Sequence, residues 1–129
     1  MDCYTNPSYI VGVDMTAVAV YGTLKKGKHN HGWLQGSKFI GKCFIPNTTM
    51  YISGLPYLTL TEGDGCYAEL YDVNDSVLRG LDRLEGHPDF YRRVVLPVVE
   101  LETGHKATAW CYVHPDEFAG TTARIAWSY

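Results

Sequence analysis

No Cys-x-x-Cys pair, no long apolar run and no basic cluster occur in this chain, and each absence removes a class of protein. The four cysteines, Cys3, Cys43, Cys66 and Cys111, are scattered, so neither a zinc ribbon nor a thioredoxin-like motif is written here. Three of them lie among strand-like apolar residues, where a reduced cysteine behaves as a small hydrophobe, which predicts a reducing, cytoplasmic setting. No apolar stretch has the length that spans a bilayer. The N-terminal segment carries Asp2 and Asp14 and lacks a positive n-region, which reads against a secretory signal. Lys25, Lys26 and Lys28 form the densest basic group in a chain of net charge -3, so a nucleic-acid partner is disfavoured and a small molecule is expected. Gly-x-Ser-x-Gly elbow, P-loop and dinucleotide fingerprint are all missing, as are repeats and low-complexity segments.

What is present is an ordinary globular composition. The 129 residues, 46% hydrophobic and 19% charged, suffice for one domain with a real core and no disulfide support. The pattern centres on residues 18–27, where Val18, Ala19, Val20 and Tyr21 run into Gly22, Thr23 and Leu24 and then turn basic. The four β-formers read as a buried strand, and Gly22 lets the backbone turn with a positive φ. At such a turn the amides of Gly22, Thr23 and Leu24 can converge into a donor cluster suited to a carboxylate, a phosphate or a developing oxyanion. An ordinary strand-to-loop junction is the competing reading.

Along the chain, residues 1–14 read as an edge strand or a loosely held arm. The first strand covers about residues 17–21, and a short helix is expected over about 30–35 with Asn30 as N-cap, Trp33 and Leu34 as its buried face and Gly36 at its end. From Ser37 the period becomes two: Phe39-Ile40 and Cys43-Phe44-Ile45 bracket Gly41-Lys42, a turn follows at Pro46-Asn47, and Met50-Tyr51-Ile52 lies beyond it. Further strands are expected over 57–60 and 66–73. The clear helix begins at a cap on Asn74 or Asp75, carries Val77, Leu78, Leu81 and Leu84 as its stripe, and ends at Gly86. A hairpin then joins 90–100 to 106–114 through Glu102-Thr103-Gly104, and the tail has room for a short helix. One helix among many short strands makes an α+β domain with a curled sheet or small barrel.

Glu85 is the residue that structure explains least. It stands four positions after Leu81 and seven after Leu78, so it shares the core-facing stripe, where an ionised acid is costly unless paired. It also lies at the negative end of the helix dipole. Both effects favour the neutral carboxyl and a raised pKa, in the range useful for proton transfer. The competing reading is a salt bridge to Arg92 or Arg93, which would lower that pKa. The pair His29 and His31 lacks a third ligand and reads as solvated rather than metal-binding. His87 is close enough in sequence to relay a proton, but reads as a turn residue beside Pro88. Cys66 and Cys111, embedded in strands, are poor nucleophile candidates.

With these stretches in place the chain resembles the gamma-glutamyl cyclotransferase-like family, and is most similar to its gamma-glutamylamine cyclotransferase branch. The resemblance rests on residues 21–27 with Asn30-His31 behind them, on Gly54-Leu55-Pro56-Tyr57, and on residues 81–93, Leu-Asp-Arg-Leu-Glu-Gly-His-Pro-Asp-Phe-Tyr-Arg-Arg. It covers about residues 17–114. Met15-Thr16 stands where such proteins commonly begin, so residues 1–14 read as an N-terminal extension and 15–129 as the domain. The resemblance implies a small mixed β-barrel with a few short helices. It implies a loop of Tyr21, Gly22, Thr23 and Leu24 that holds a gamma-glutamyl group through backbone amides, Glu85 as the proton-transfer residue, and an aromatic signature position at Tyr91. The implied reaction closes the gamma-glutamyl group onto its own α-amine to give pyroglutamate and a free amine, with no metal or cofactor. A protein that sequesters a small anion in the same pocket is the alternative. Neither the leaving amine nor the oligomeric state is written in the sequence.

Overall fold

A computed structural model describes residues 15–53, 55–114 and 124–125. Strand β1 (Met15–Val20) is the hub. Its alternate residues enter two different cores: Ala17 and Ala19 face a cluster with Cys43, Ile45, Leu70 and Val113, while Val18 and Val20 face one with Leu24, Leu34, Tyr71 and Leu81. Burial on both faces is why this strand reads as an unbroken apolar run rather than an alternating one.

Four more strands complete a closed barrel around it. These are β2 (Lys38–Ile45), β5 (Cys66–Asn74), β6 (Arg92–Glu100) and β7 (Lys106–Val113), with β3 (Thr49–Ser53) and β4 (Leu55–Thr59) lying between β2 and β5 in sequence. The order around the barrel is β1-β5-β2-β6-β7. β1 pairs antiparallel with β5 over its whole length and closes the ring through a parallel contact with β7 at Val18 and Trp110. The core inside the barrel mixes small side chains, Ala17, Ala19, Ala68, Ala109, Cys43 and Cys111, with larger ones such as Ile45, Leu70, Val98 and Val113. That is where the three described cysteines go. All are free and buried, and burial pushes Cys43 and Cys66 up to about 12, so they serve as packing.

A second sheet, ordered β4-β3-β8, uses β8 (Arg124–Ile125) as its far strand. It joins the barrel where the His114 amide donates to the Leu58 carbonyl at 2.7 Å. Helix α1 (Asp75–Glu85) follows β5 directly; the Asn74 carboxamide accepts from the Val77 amide at 2.8 Å, and Gly86 ends the helix in the left-handed region at φ 69°. Leu81 is fully buried and fixes the helix on the second core cluster.

The mixed barrel and the main strands agree with the pattern in the sequence, and four details differ. The two apolar pieces around Gly41-Lys42 are one strand, β2, with a bulge between Phe39 and Gly41. The short helix expected over 30–35 is a single 3-10 turn, His31–Leu34. Four residues of such a turn turn one large side chain inward, so Leu34 is buried while Trp33 is 43% exposed, lying across Gly80 of α1. Asn30 occupies the N-cap position, but its side chain makes no cap bond; the carboxamide is used elsewhere. In the tail, Arg124–Ile125 is extended and paired with β3 rather than helical. The expectations for residues 1–14 and for the rest of the tail lie outside the described residues.

Candidate active site

Beyond β1 the chain turns as sequence reasoning expected. Gly22 adopts φ 65°, and a Cβ built there would stand 2.8 Å from Pro56 Cγ. No side chain is tolerated at that approach, and the positive φ adds strain for any other residue. Gly22–Leu24 forms a 3-10 turn, so its leading amides have no intrahelical acceptor. Outside the turn itself, no backbone carbonyl among the described residues accepts from the Gly22 or Thr23 amide. The loop is held from below by Asn30, whose Nδ2 donates to Thr23 Oγ1 at 2.9 Å and whose amide donates to the Thr23 carbonyl at 3.0 Å. His31 Nδ1 donates to the Leu24 carbonyl at 3.0 Å, which occupies one ring nitrogen of the His29-x-His31 pair. Among the described residues no three His, Cys, Asp or Glu side chains come together as a metal cluster.

This loop forms one wall of a cavity of about 320 Å³, a size suited to a small molecule. Tyr21, Thr23 and Leu24 line it from the loop, Leu84 and Glu85 from the end of α1, and Pro56, Phe90, Tyr91 and Tyr112 from the remaining sides. Among the described lining residues there is neither a lysine nor an arginine.

Glu85 opens into the cavity without a hydrogen-bond or ion-pair partner among the described residues. Desolvation by burial holds its carboxyl up to about 7. The two arginines that sequence alone allows as partners are both elsewhere. Arg92 is exposed, and Arg93 bonds Asp82 through Nε to Oδ1 at 2.9 Å and Nη2 to Oδ2 at 3.2 Å. The structural salt bridge to Glu85 is thus not made, for the physical reason that Asp82, three residues earlier, already engages the fork of Arg93. His87 is likewise committed: its Nδ1 accepts from the Arg93 amide at 3.0 Å, so it is a turn residue and no relay.

Both tyrosines singled out in the sequence reach the cavity with their hydroxyls engaged by backbone. Tyr21 donates to the Tyr112 carbonyl at 2.7 Å and accepts from the Leu58 amide at 3.3 Å, joining β1, β7 and the small sheet. Burial, then the charges of Cys111, Tyr91 and Glu85, push its phenol well above the usual range. Tyr91 donates to the Pro56 carbonyl at 2.9 Å and stacks on Tyr57 with ring centroids 5.7 Å apart. Four of the wall residues, Leu84, Phe90, Pro56 and Tyr112, were not read as site residues from the sequence; the first two stood only in the helix stripe and the 81–93 stretch. The Gly54-Leu55-Pro56-Tyr57 motif was the available signal for Pro56. For Tyr112, in a strand of mixed apolar residues, there was none.

A closed mixed barrel with a glycine-turned amide loop facing an unpaired carboxyl is the architecture of a small-molecule enzyme site. Comparison with known proteins gives it a family: residues 18–127 match the gamma-glutamyl cyclotransferase, AIG2-like family, and the chain belongs to it. A candidate gamma-glutamylcyclotransferase of Methanocaldococcus jannaschii is 40% identical over 105 residues, covering 79% of this chain and 87% of that protein. The gamma-glutamylaminecyclotransferase of Rattus norvegicus is 37% identical over 99 residues, covering 68% of this chain and 66% of its own length. The crystal structure of an AIG2-like protein from Mus musculus superposes with a TM-score of 0.82 at 27% identity, covering 91% of this chain and 89% of that one. These relationships support a cyclotransferase enzyme acting on small gamma-glutamyl substrates. Among the described residues no helix is long and apolar enough to cross a membrane.

Proposed function

We propose that the protein converts a gamma-glutamyl amine to 5-oxoproline and the free amine, with Glu85 moving the proton. The observation that carries this reading is the Glu85 carboxyl itself: unpaired, facing a cavity and held up to about 7. A group whose pKa lies near the working pH both accepts and returns a proton efficiently.

The substrate's α-amine arrives as an ammonium, which has no lone pair to attack with. Glu85 takes one proton from it. The freed amine attacks the side-chain carbonyl of the same gamma-glutamyl group, forming the C–N bond of a five-membered lactam. As the original amide C–N bond breaks, the attacking nitrogen gives up its second proton to the departing nitrogen and Glu85 returns the first, so the ring closes as a neutral lactam and the amine leaves as an ammonium. Atoms balance with no added water. The amides of Gly22, Thr23 and Leu24 hold the gamma-glutamyl group folded back on itself, and no lysine or arginine is among the described lining residues to share that task. Holding both reacting groups of one molecule in contact supplies much of the acceleration, and amide donors at the carbonyl oxygen add to it. In this reading Tyr21 and Tyr91 are substrate-contacting walls, the working unit is 15–129 with residues 1–14 as an extension, and the buried free cysteines suit a reducing, cytoplasmic setting.

The test is an assay of the purified protein with a panel of gamma-glutamyl amines and gamma-glutamyl dipeptides, 5-oxoproline being followed by mass spectrometry. Product from the wild type and none from Glu85→Gln is the expected result. Thermal stabilisation by a small anion with no product from any conjugate would overturn catalysis in favour of sequestration.

A further inference from the structure

The arrangement of charge around the end of α1 raises a question that the reaction alone does not answer: why an acid with an arginine so close in sequence remains unpaired. The answer lies one turn back. Asp82 precedes Glu85 by three residues, so both side chains leave the helix on neighbouring faces. Asp82 is bound by both Nε and Nη2 of Arg93 and accepts a third bond from the Tyr112 hydroxyl at 2.7 Å. The Arg93 guanidinium also lies 4.3 Å from the centroid of Trp110, and its amide is fixed on His87 Nδ1. Every one of these contacts keeps the cation on the Asp82 side. Tyr112, meanwhile, lines the cavity that Glu85 opens into, so the network abuts the site directly.

We propose that Asp82 is a positioning residue for the reaction: by engaging Arg93 it denies the Glu85 carboxylate an arginine partner and cancels the cation's field at the site. The inference rests on the reading of Glu85 as the proton-transfer group. An arginine within a few ångströms lowers a carboxyl's pKa by roughly 1–3 units, which would leave Glu85 a poor acid near neutral pH. A paired Arg93 and Asp82 present almost no net charge. Removing either member therefore perturbs Glu85, and in opposite directions.

The groups that face Glu85 from the packed elements are Tyr21 just after β1, Tyr91 after the helix, and Cys111 and Tyr112 on β7. Burial raises all four, so they stay neutral across the pH range of interest. His29 lines the same cavity, so the series is run both with His29 intact and in a His29→Gln background.

The experiment is the pH dependence of kcat/KM with a gamma-glutamyl amine found to be turned over, for the wild type, Asp82→Asn, Arg93→Met and the double variant. Activity rises with pH as Glu85 loses its proton. Asp82→Asn is expected to move that acid limb down by about half a unit, a roughly threefold gain in relative rate one unit below the wild-type midpoint. Arg93→Met is expected to move it up, and the double variant to return close to wild type. A merely structural role would lower rates without opposite, mutually cancelling displacements. Acid limbs that coincide in all four proteins, or that move the same way in both single variants, would overturn the proposal. Should Asp82→Asn fail to fold, the upward displacement in Arg93→Met tests it alone. Glu85→Gln is measured in parallel: full turnover in that variant refutes the proton-transfer reading itself, a result distinct from unmoved limbs in a series where Glu85→Gln is dead.

Discussion

One turn of α1 separates two carboxylates that the protein treats oppositely. Asp82 accepts from a bidentate arginine and a tyrosine hydroxyl, while Glu85, three residues on, has no partner among the described residues and is raised to about 7 by burial. Both stand on the same helix and both are half-buried. What differs is the supply of donors, and that difference turns one acid into a cross-tie between α1, β6 and β7 and leaves the other free to exchange a proton. A buried charge earns a structural role only when its partners are complete; left incomplete, it becomes reactive.

The largest effect expected from breaking this contrast is on turnover. Glu85→Gln keeps the shape of the cavity but cannot carry a proton, and kcat should fall by about 10²- to 10⁴-fold with the melting temperature preserved or raised. Retention of full kcat in a folded variant would place the proton elsewhere. At the other acid the loss should appear in stability. Asp82→Ala strands the Arg93 guanidinium and the Tyr112 hydroxyl together, and chemical denaturation should show a loss of about 3 kcal/mol.

A third effect follows from the pH dependence of Glu85. Its folded pKa, about 7, lies above the unfolded value near 4.5, so the folded state binds its proton more tightly. Stability is therefore greatest at low pH, declines as pH rises between those two values, and levels off above 7. Relative to Glu85→Gln, the wild type should be equally stable near pH 4 and less stable by about 3 kcal/mol at pH 8, as urea midpoints at the two pH values would reveal. Wild type and variant with identical pH profiles would mean that the carboxyl is solvated after all. The smallest effect is shared by both acids: Asn74→Ala removes the cap from the far end of their helix and should cost about 1 kcal/mol of stability, with the acid limb of the rate profile unmoved.

The elements that proved legible in the sequence are those whose cause is local. Gly22 was readable because a strand of β-formers ended at a residue with no Cβ, and the structure places it at a positive φ beneath Pro56. Both ends of α1 were readable because Asn74 and Gly86 perform their capping through neighbours in the chain. Glu85 stood out because helical periodicity set it among leucines. The choice of partner for Arg93 was not legible: two acids lay within reach of two arginines, and which pair forms depends on where β6 emerges relative to the helix. Asn30 illustrates the same limit. Its type and position suited a cap, yet its carboxamide serves Thr23 in the loop before it. Trp33 misled because aromatic residues are assigned to interiors by composition, whereas a turn of four residues has room to bury only one large side chain. In the second sheet the β3-β4 hairpin is local, but the pairing of β3 with two residues of the tail rests on contacts distant in sequence.

The unpaired state of Glu85 also bears on how the cavity empties. A gamma-glutamyl substrate carries its own cation, the α-ammonium, and so brings to the carboxylate the counterion that the protein withholds. Cyclisation consumes it: the nitrogen becomes a neutral lactam amide, and the expelled amine leaves with the proton. In the proposed reaction, affinity drawn from that charge pair would exist for the reactant and be lost for the ring it becomes, so the chemistry that forms the lactam would also loosen its hold.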